Sequence, residues 1–498
     1  MPNFDFLPAH ATPQNVPVLA KGPTRHIPMK AVPIVTCLLA ACASPVSRVP
    51  EAAVSEYREQ DVRTFTVNAA ALPFEAMPGS NVSTDRWTGV LGGSGYRIEV
   101  PVNWNGKLVM FAHGYPGNGD QLVVRNTPIR RYLIEQGYAW AASSYSKNFY
   151  DVRAAIEDTN ALVLAFTSIA RQNGRVLAAP SKTYITGYSM GGYTAVASVE
   201  EETLSQAKNK VRYDGATSWC GAVATEVHQN YFAAYQLAAL KLAGYPAVRF
   251  PPLNFESMRA PAMAALFTNY PSGLTTKGKQ LYNVVQELTG GPRPIFAQGW
   301  ANKTSQDADW NIGFSRASWD GMVTYPFQDT TNIVYQLDED AAQTPEEAEF
   351  NRTIFRAKAD ARLWNPPRPD GMRWSPRVNG EIANVPVVTL SNLGDVYVPF
   401  MLEQAYKRKA DANNRGQWLV QRTARSTSHC EFTVAELEET FKATVSWAEN
   451  KVKPDGDDIL TRSVIADPKY GCKFTINKGG LDDSDAVLKV RAGLPSCK

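Results

Sequence analysis

The stretch that most constrains this chain is TYITGYSMGGYTAVAS, residues 183–198, with Ser189 at its centre. Gly187 to Gly191 reads G-x-S-x-G. A β-rich run, Thr183 to Thr186, precedes it, and a run of small, helix-compatible residues, Tyr193 to Ser198, follows. A serine between strand and helix must occupy a very tight turn, and glycines two before and two after leave room for it. Such a turn lifts the hydroxyl above the sheet edge and sets it at a helix N-terminus, where backbone N–H groups favour a developing anion. The bare motif is weak and also fits a glycine-rich turn with no chemistry. Its strand-before, helix-after context predicts a nucleophilic serine.

The flanking sequence reads as a frame for that turn. GYRIEVPVNWNGKLVMFAHGY predicts two strands joined by a tight NWNG turn, with Arg97, Glu99 and Pro101 alternating with apolar residues in the first. Leu108 to Ala112 is a continuous buried run. A helix over Thr127 to Gln136 ends at Gly137. Then come a strand at Tyr138 to Ser143, a helix at Val152 to Gln172, the strand Lys182 to Thr186 and another near Asp214 to Gly221. Repeated βα units imply a mostly parallel sheet with helices on both faces.

The rhythm then breaks. Residues 222–375 hold helical pieces (Tyr231 to Leu242, Gln280 to Leu288, Pro345 to Ala359) and many aromatics, including Trp300, Trp310, Phe314, Trp319 and Tyr325. The block reads as a helical cap inserted over the sheet's functional edge, although core packing alone accounts for most of the aromatics. Strands return at Val385 to Ser391 and Gln417 to Arg422, followed by an amphipathic helix from Val434 to Lys451. The expected organisation is a leader over 1–45, core over 46–221, cap over 222–375, core over 376–452 and a tail over 453–498. No linker marks off an independent domain.

A serine hydroxyl needs a positioned base, nearly always histidine. Of five histidines, His10 and His26 precede the leader's apolar segment, His113 ends a strand, and nothing around His228 points to a base. His429 lies in the polar loop RSTSHCEFT between the last strand and the last helix, which makes it the expected base. Asp395, in TLSNLGDVYVP, stands just past a strand end, where site loops of open parallel sheets gather, and is the expected partner of that base. Asp338, Glu339 and Asp340 lie in a charged run that reads as a solvated face. An oxyanion needs two donors. The backbone N–H of Met190 is one, and the N–H of Tyr115 in HGYPG is the natural second, with the Tyr115 hydroxyl as an alternative.

At 498 residues and 44% hydrophobic the chain can bury a large core, and a formal charge of +3 is too mild to indicate nucleic acid. Met29 and Lys30 open AVPIVTCLLAAC, a basic residue and a short apolar region followed by small residues, which predicts an export leader. Its end, Leu39-Ala40-Ala41-Cys42, resembles the lipobox of bacterial lipoproteins, making Cys42 a lipidation candidate and implying a possible lipid anchor; simple cleavage near Ala43 is the alternative. Outside the leader, Cys220, Cys430, Cys472 and Cys497 allow three pairings and suit an oxidising compartment. Cys472–Cys497, stapling the tail, with Cys220–Cys430 is the favoured set. No cysteine pair has the close spacing of a zinc site, and the chemistry expected requires neither metal nor organic cofactor.

Together these features resemble the α/β-hydrolase superfamily over most of 85–225 and 380–450, including the chain order Ser189, Asp395, His429. The closer likeness is to secreted bacterial hydrolases sharing RIEVPVNWNG, a strand ending in HGY, GYSMGG, a DG…CG segment and HC at the base. In tannases and fungal feruloyl esterases a disulfide joins the residue before the serine to the one after the histidine. Here Tyr188 precedes Ser189, so Cys430 meets half of that pattern and Cys220 could supply the missing partner. The resemblance implies an esterase working through an acyl-enzyme on a small-molecule ester, with bulky or aromatic substrates hinted at by the insertion. An amidase or peptidase with the same residues is the runner-up, and a non-catalytic binding protein the remote alternative. A haloalkane-type hydrolase would need a carboxylate where Ser189 stands.

Overall fold

Continuous apolar runs set the centre of the sheet. In a computed structural model describing residues 58–245, 247–250, 252, 255–313, 328–358 and 365–497, the strand Lys107–Ala112 (β3) is covered beyond its first residue, with Leu108 to Ala112 all at 0% exposure. It pairs in parallel with Ala139–Ser143 (β4) on one side and Lys182–Tyr188 (β5) on the other. Gly215–Trp219 (β6), Val387–Asn392 (β7) and Leu419–Ala424 (β8) extend the sheet in parallel beyond β5. On the far side, Ser94–Pro101 (β2) runs antiparallel to both β4 and Thr84–Leu91 (β1). The eight-stranded order is β8-β7-β6-β5-β3-β4-β2-β1.

The period-2 alternation of a strand sends its side chains into two cores. Leu108 and Met110 face the cluster shared with Val152–Gln172 (α2) and Met190–Ala197 (α3). Val109 and Phe111 face the cluster shared with Arg130–Glu135 (α1) and Val434–Asn450. Helix α2 starts where the Asp151 carboxylate accepts from Ala154 N–H, a side-chain cap for a first-turn amide that has no partner within the helix. The Val434 helix carries a reciprocal capping box between Thr433 and Glu436.

Between β6 and β7 the chain builds helices Thr225–Leu242 (α4), Phe255–Leu266 (α5), Thr276–Leu288 (α6), Phe296–Trp300 (α7), Lys303–Gly313 (α8) and Pro345–Thr353 (α9). A small hairpin, Phe267–Asn269 with Gly273–Leu274, is the one strand pair described in this block. Trp300 and Trp310 are both buried here. After β7 come Met401–Ala412 (α10), β8 and Val434–Asn450 (α11), then a tail with helix Asp485–Ala492 (α12). The described residues form one compact unit.

Several expectations need correcting. Strand β1 was not anticipated, because TDRWTGVL mixes polar residues along its length; it pairs with β2 across Gly92 and Gly93, both at positive φ. The alternating strand β2 lies inside the sheet, and its Glu99 carboxylate is buried against Arg130, Thr84 and Trp140. Val62 to Val67 reads as strand-like in sequence, but the chain there forms a helical turn at Glu59–Val62 followed by the two-residue strand Thr66–Val67. The leader with Cys37, Cys42, His10 and His26, and the aromatics Phe314, Trp319 and Tyr325, lie outside the described residues. No described helix is long and apolar enough to cross a membrane.

Candidate active site

Ser189 occupies the turn between β5 and α3 with φ 56° and ψ −126°, a left-handed conformation that side-chain-bearing residues rarely adopt. The turn closes only because its glycines lack a Cβ. A Cβ on Gly187 would strike the Gly191 carbonyl, and one on Gly191 would strike the Ala112 carbonyl at the end of β3. The Ser189 N–H donates to Trp219 O at 3.0 Å, tying the turn to the end of β6. Strained backbone on a strand–serine–helix turn, at the C-terminal edge of a mostly parallel eight-stranded sheet, decides the architecture. This is the α/β-hydrolase fold.

The His429 loop reaches the serine, and the Asp395 loop reaches the histidine. His429 Nε2 lies 2.8 Å from Ser189 Oγ, and His429 Nδ1 lies 2.7 Å from Asp395 Oδ2. The Asp395 side chain is 1% exposed and that of His429 20%. A buried carboxylate facing Nδ1 favours the tautomer with its proton there, leaving Nε2 to accept from the serine O–H. Asp395 Oδ1 accepts from Tyr397 N–H at 2.9 Å and Val398 N–H at 3.0 Å, so both carboxylate oxygens are engaged.

The histidine loop is held from several directions. Glu431 Oε2 accepts from the N–H groups of Thr427 and Ser428 at 2.8 and 3.0 Å. Asn392, at the end of β7, accepts from Cys430 N–H and donates to the Ser426 hydroxyl. Cys430 is joined to Cys220 across 210 residues, and its Sγ stands 3.3 Å from His429 Nε2. These two sulfurs and the His429 ring form a compact group, but the sulfurs are bonded to each other and present no thiolate to a cation. The second bridge, Cys472–Cys497, closes the tail.

The expected oxyanion donors border the serine. Met190 is the first residue of α3, so its N–H is one of the first-turn amides without an intrahelical acceptor. A Cβ placed on Gly114 would lie 3.2 Å from Ser189 Cβ, which puts the HGYPG loop directly against the Ser189 turn. Tyr115 follows, half-buried. His113 is fully buried with its ring nitrogens on Gly114 O (2.7 Å) and Ser144 O (3.2 Å), and burial pushes it down to about 4. It is a structural residue of that loop. His228, distant in sequence, is buried beside the Asp395 loop, its Nε2 on Tyr397 O at 2.6 Å. Asp338, Glu339 and Asp340 lie at or near the surface.

No family model and no curated protein matches the chain. Among solved structures it is similar to feruloyl esterase B from Aspergillus oryzae, at 14% identity over 76% of this chain and 82% of that one, with a TM-score of 0.41. Candida antarctica lipase A matches at 14% identity over 74% and 75% of the two chains, with a TM-score of 0.34. Brefeldin A esterase, a bacterial homologue of human hormone sensitive lipase, matches at 14% over 77% and 82%, with a TM-score of 0.35.

Proposed function

We propose that this protein is an exported serine hydrolase that cleaves carboxylic esters through an acyl-enzyme. The observation that carries this is the continuous chain from Ser189 Oγ through the His429 ring to the buried Asp395 carboxylate, at 2.8 and 2.7 Å. Ser189 Oγ attacks the ester carbonyl carbon as its proton passes to His429 Nε2. The oxyanion forms against the N–H groups of Met190 and Tyr115. His429 then returns the proton to the leaving alkoxide, the C–O bond breaks and the alcohol departs. Water repeats the sequence on the acyl-enzyme, releasing the acid and restoring Ser189. Asp395 fixes the tautomer of His429 and stabilises its imidazolium.

The described helices of the insertion act as a cap beside this site: α4 meets the Asp395 loop through Tyr231 and His228, and Asn302 donates to Thr427 in the His429 loop. Two disulfides and the leader ahead of the core support export. The mass of the exported chain's N-terminal peptide separates lipid attachment at Cys42 from simple cleavage near Ala43.

The test is turnover of matched aryl esters and aryl amides by the wild-type protein and Ser189→Ala. The expected result is ester turnover that disappears in the variant. Amide turnover equal to or above ester turnover would replace the esterase by an amidase, and turnover surviving in the variant would remove Ser189 as the nucleophile.

A further inference from the structure

Asp395 Oδ1 is held by two backbone N–H groups, those of Tyr397 and Val398. Each belongs to a peptide unit whose carbonyl lies on the opposite edge. The unit carrying the Tyr397 N–H has the Val396 carbonyl, and the unit carrying the Val398 N–H has the Tyr397 carbonyl. A planar trans peptide aims its N–H and C=O in opposite directions, so fixing one end fixes the other. Both carbonyls are fixed by side chains of α4, in the insertion. The Tyr231 hydroxyl donates to Val396 O at 2.8 Å, and His228 Nε2 donates to Tyr397 O at 2.6 Å.

These donors are built for the task. Tyr231 is 2% exposed and His228 0%. They stand three residues apart on α4, hence on one face of the helix. Burial pushes the His228 imidazole down to about 4, so it is neutral and keeps its single proton for Tyr397 O. The Tyr397 ring, carried by the same backbone, meets the His429 ring edge-on at 5.4 Å. A third insertion residue, Arg293, donates to Leu393 O at 2.7 Å, two residues before Asp395.

We propose that Tyr231 and His228 are positioning residues that act through the 396–397 and 397–398 peptide units to hold Asp395 Oδ1, leaving Oδ2 aligned on His429. The hydrogen bonds run in two parallel relays, from side chain to carbonyl and from the same peptide's N–H to the carboxylate, and successive polarisation strengthens each. The insertion is therefore part of the catalytic support as well as a wall of the site. Its first helix cannot swing away from the sheet without releasing the triad acid.

This inference rests on Ser189, His429 and Asp395 being the catalytic residues. The experiment compares Tyr231→Phe, His228→Met and His228→Gln with wild type and Ser189→Ala on a small aryl acetate, with thermal unfolding and the downfield NMR proton of His429 Nδ1–H recorded for each. Tyr231→Phe and His228→Met each remove one donor at nearly constant volume, and kcat is expected to fall about tenfold in each with KM little changed. The Nδ1–H resonance is expected to shift in both. His228→Gln keeps an N–H that reaches Tyr397 O and is expected to recover most of kcat. Wild-type kcat and an unmoved resonance in Tyr231→Phe and His228→Met would overturn the relay while an inert Ser189→Ala left the catalytic assignment standing. Activity in Ser189→Ala would instead remove that assignment. Should His228→Met fail to fold, the isosteric Tyr231→Phe and the donor-keeping His228→Gln still decide.

Discussion

Ser189 and its two partners are positioned in different ways. The serine's conformation is set largely between Gly187 and Gly191, by backbone strain and by glycines that let β5, α3 and the end of β3 touch. His429 and Asp395 owe their places to distant chain: Cys220 lies 210 residues before Cys430, and His228 lies 169 before Tyr397. A turn fixed by its own glycines has little freedom left for the rest of the fold to remove. A loop fixed by distant side chains keeps its geometry only while each tie is made. The Ser189 turn should therefore fail through steric collision, and the His429 and Asp395 loops through loss of individual ties.

The largest effect is expected where the ties converge. Asp395→Asn keeps an oxygen for the Tyr397 and Val398 N–H groups but withdraws the charge facing His429, and kcat should fall by about 10^4 with the thermal midpoint little changed. Steady-state kinetics beside a melting curve checks both halves of that expectation. Gly191→Ala tests the local half of the comparison. The added methyl meets the Ala112 carbonyl, and ester turnover should fall by about a thousandfold or the protein should not fold. A soluble Gly191→Ala enzyme with near-normal turnover would show that the turn tolerates what its geometry forbids.

The two disulfides sharpen the comparison, because they share chemistry but not position. Cys220→Ser paired with Cys430→Ser should lower kcat by about ten- to a hundredfold by loosening the His429 loop. Cys472→Ser paired with Cys497→Ser should leave kcat unchanged and cost stability alone, about 2–4 kcal/mol. Equal kinetic losses from both pairs would mean that the bridge beside His429 has no positioning role. The smallest effect is expected at Thr433, whose hydroxyl caps α11. Thr433→Ala should cost about 1 kcal/mol in denaturant unfolding without altering kcat.

The same contrast explains what the sequence revealed. Ser189 was legible because G-x-S-x-G between strand and helix is a local pattern with a local cause. His429 and Asp395 were legible through elimination and through their places past strand ends, which needs topology but no side-chain contact. The supporting residues were not legible. Asn392, Glu431, Tyr231 and His228 look like ordinary polar or aromatic residues, and their roles exist only once β7, the His429 loop and α4 are brought together. Among the strands, β1 escaped notice for a different reason. Its alternation is weak, but Gly92-Gly93 between two strand-length runs is a hairpin signal that could have exposed it. The burial of Glu99 is not legible in its alternating strand, because Arg130 and Trp140 supply its partners from elsewhere in the chain.

Covalent acylation of Ser189 is tested most directly by the site of a covalent adduct. Wild-type protein is treated with a fluorophosphonate, its intact mass is measured, and the modified peptide is sequenced by mass spectrometry. One adduct per chain on the peptide containing Ser189, absent from Ser189→Ala and strongly slowed in a His429→Ala variant, is the predicted result. An adduct on another residue, or ester turnover that persists while Ser189 is fully modified, would contradict it.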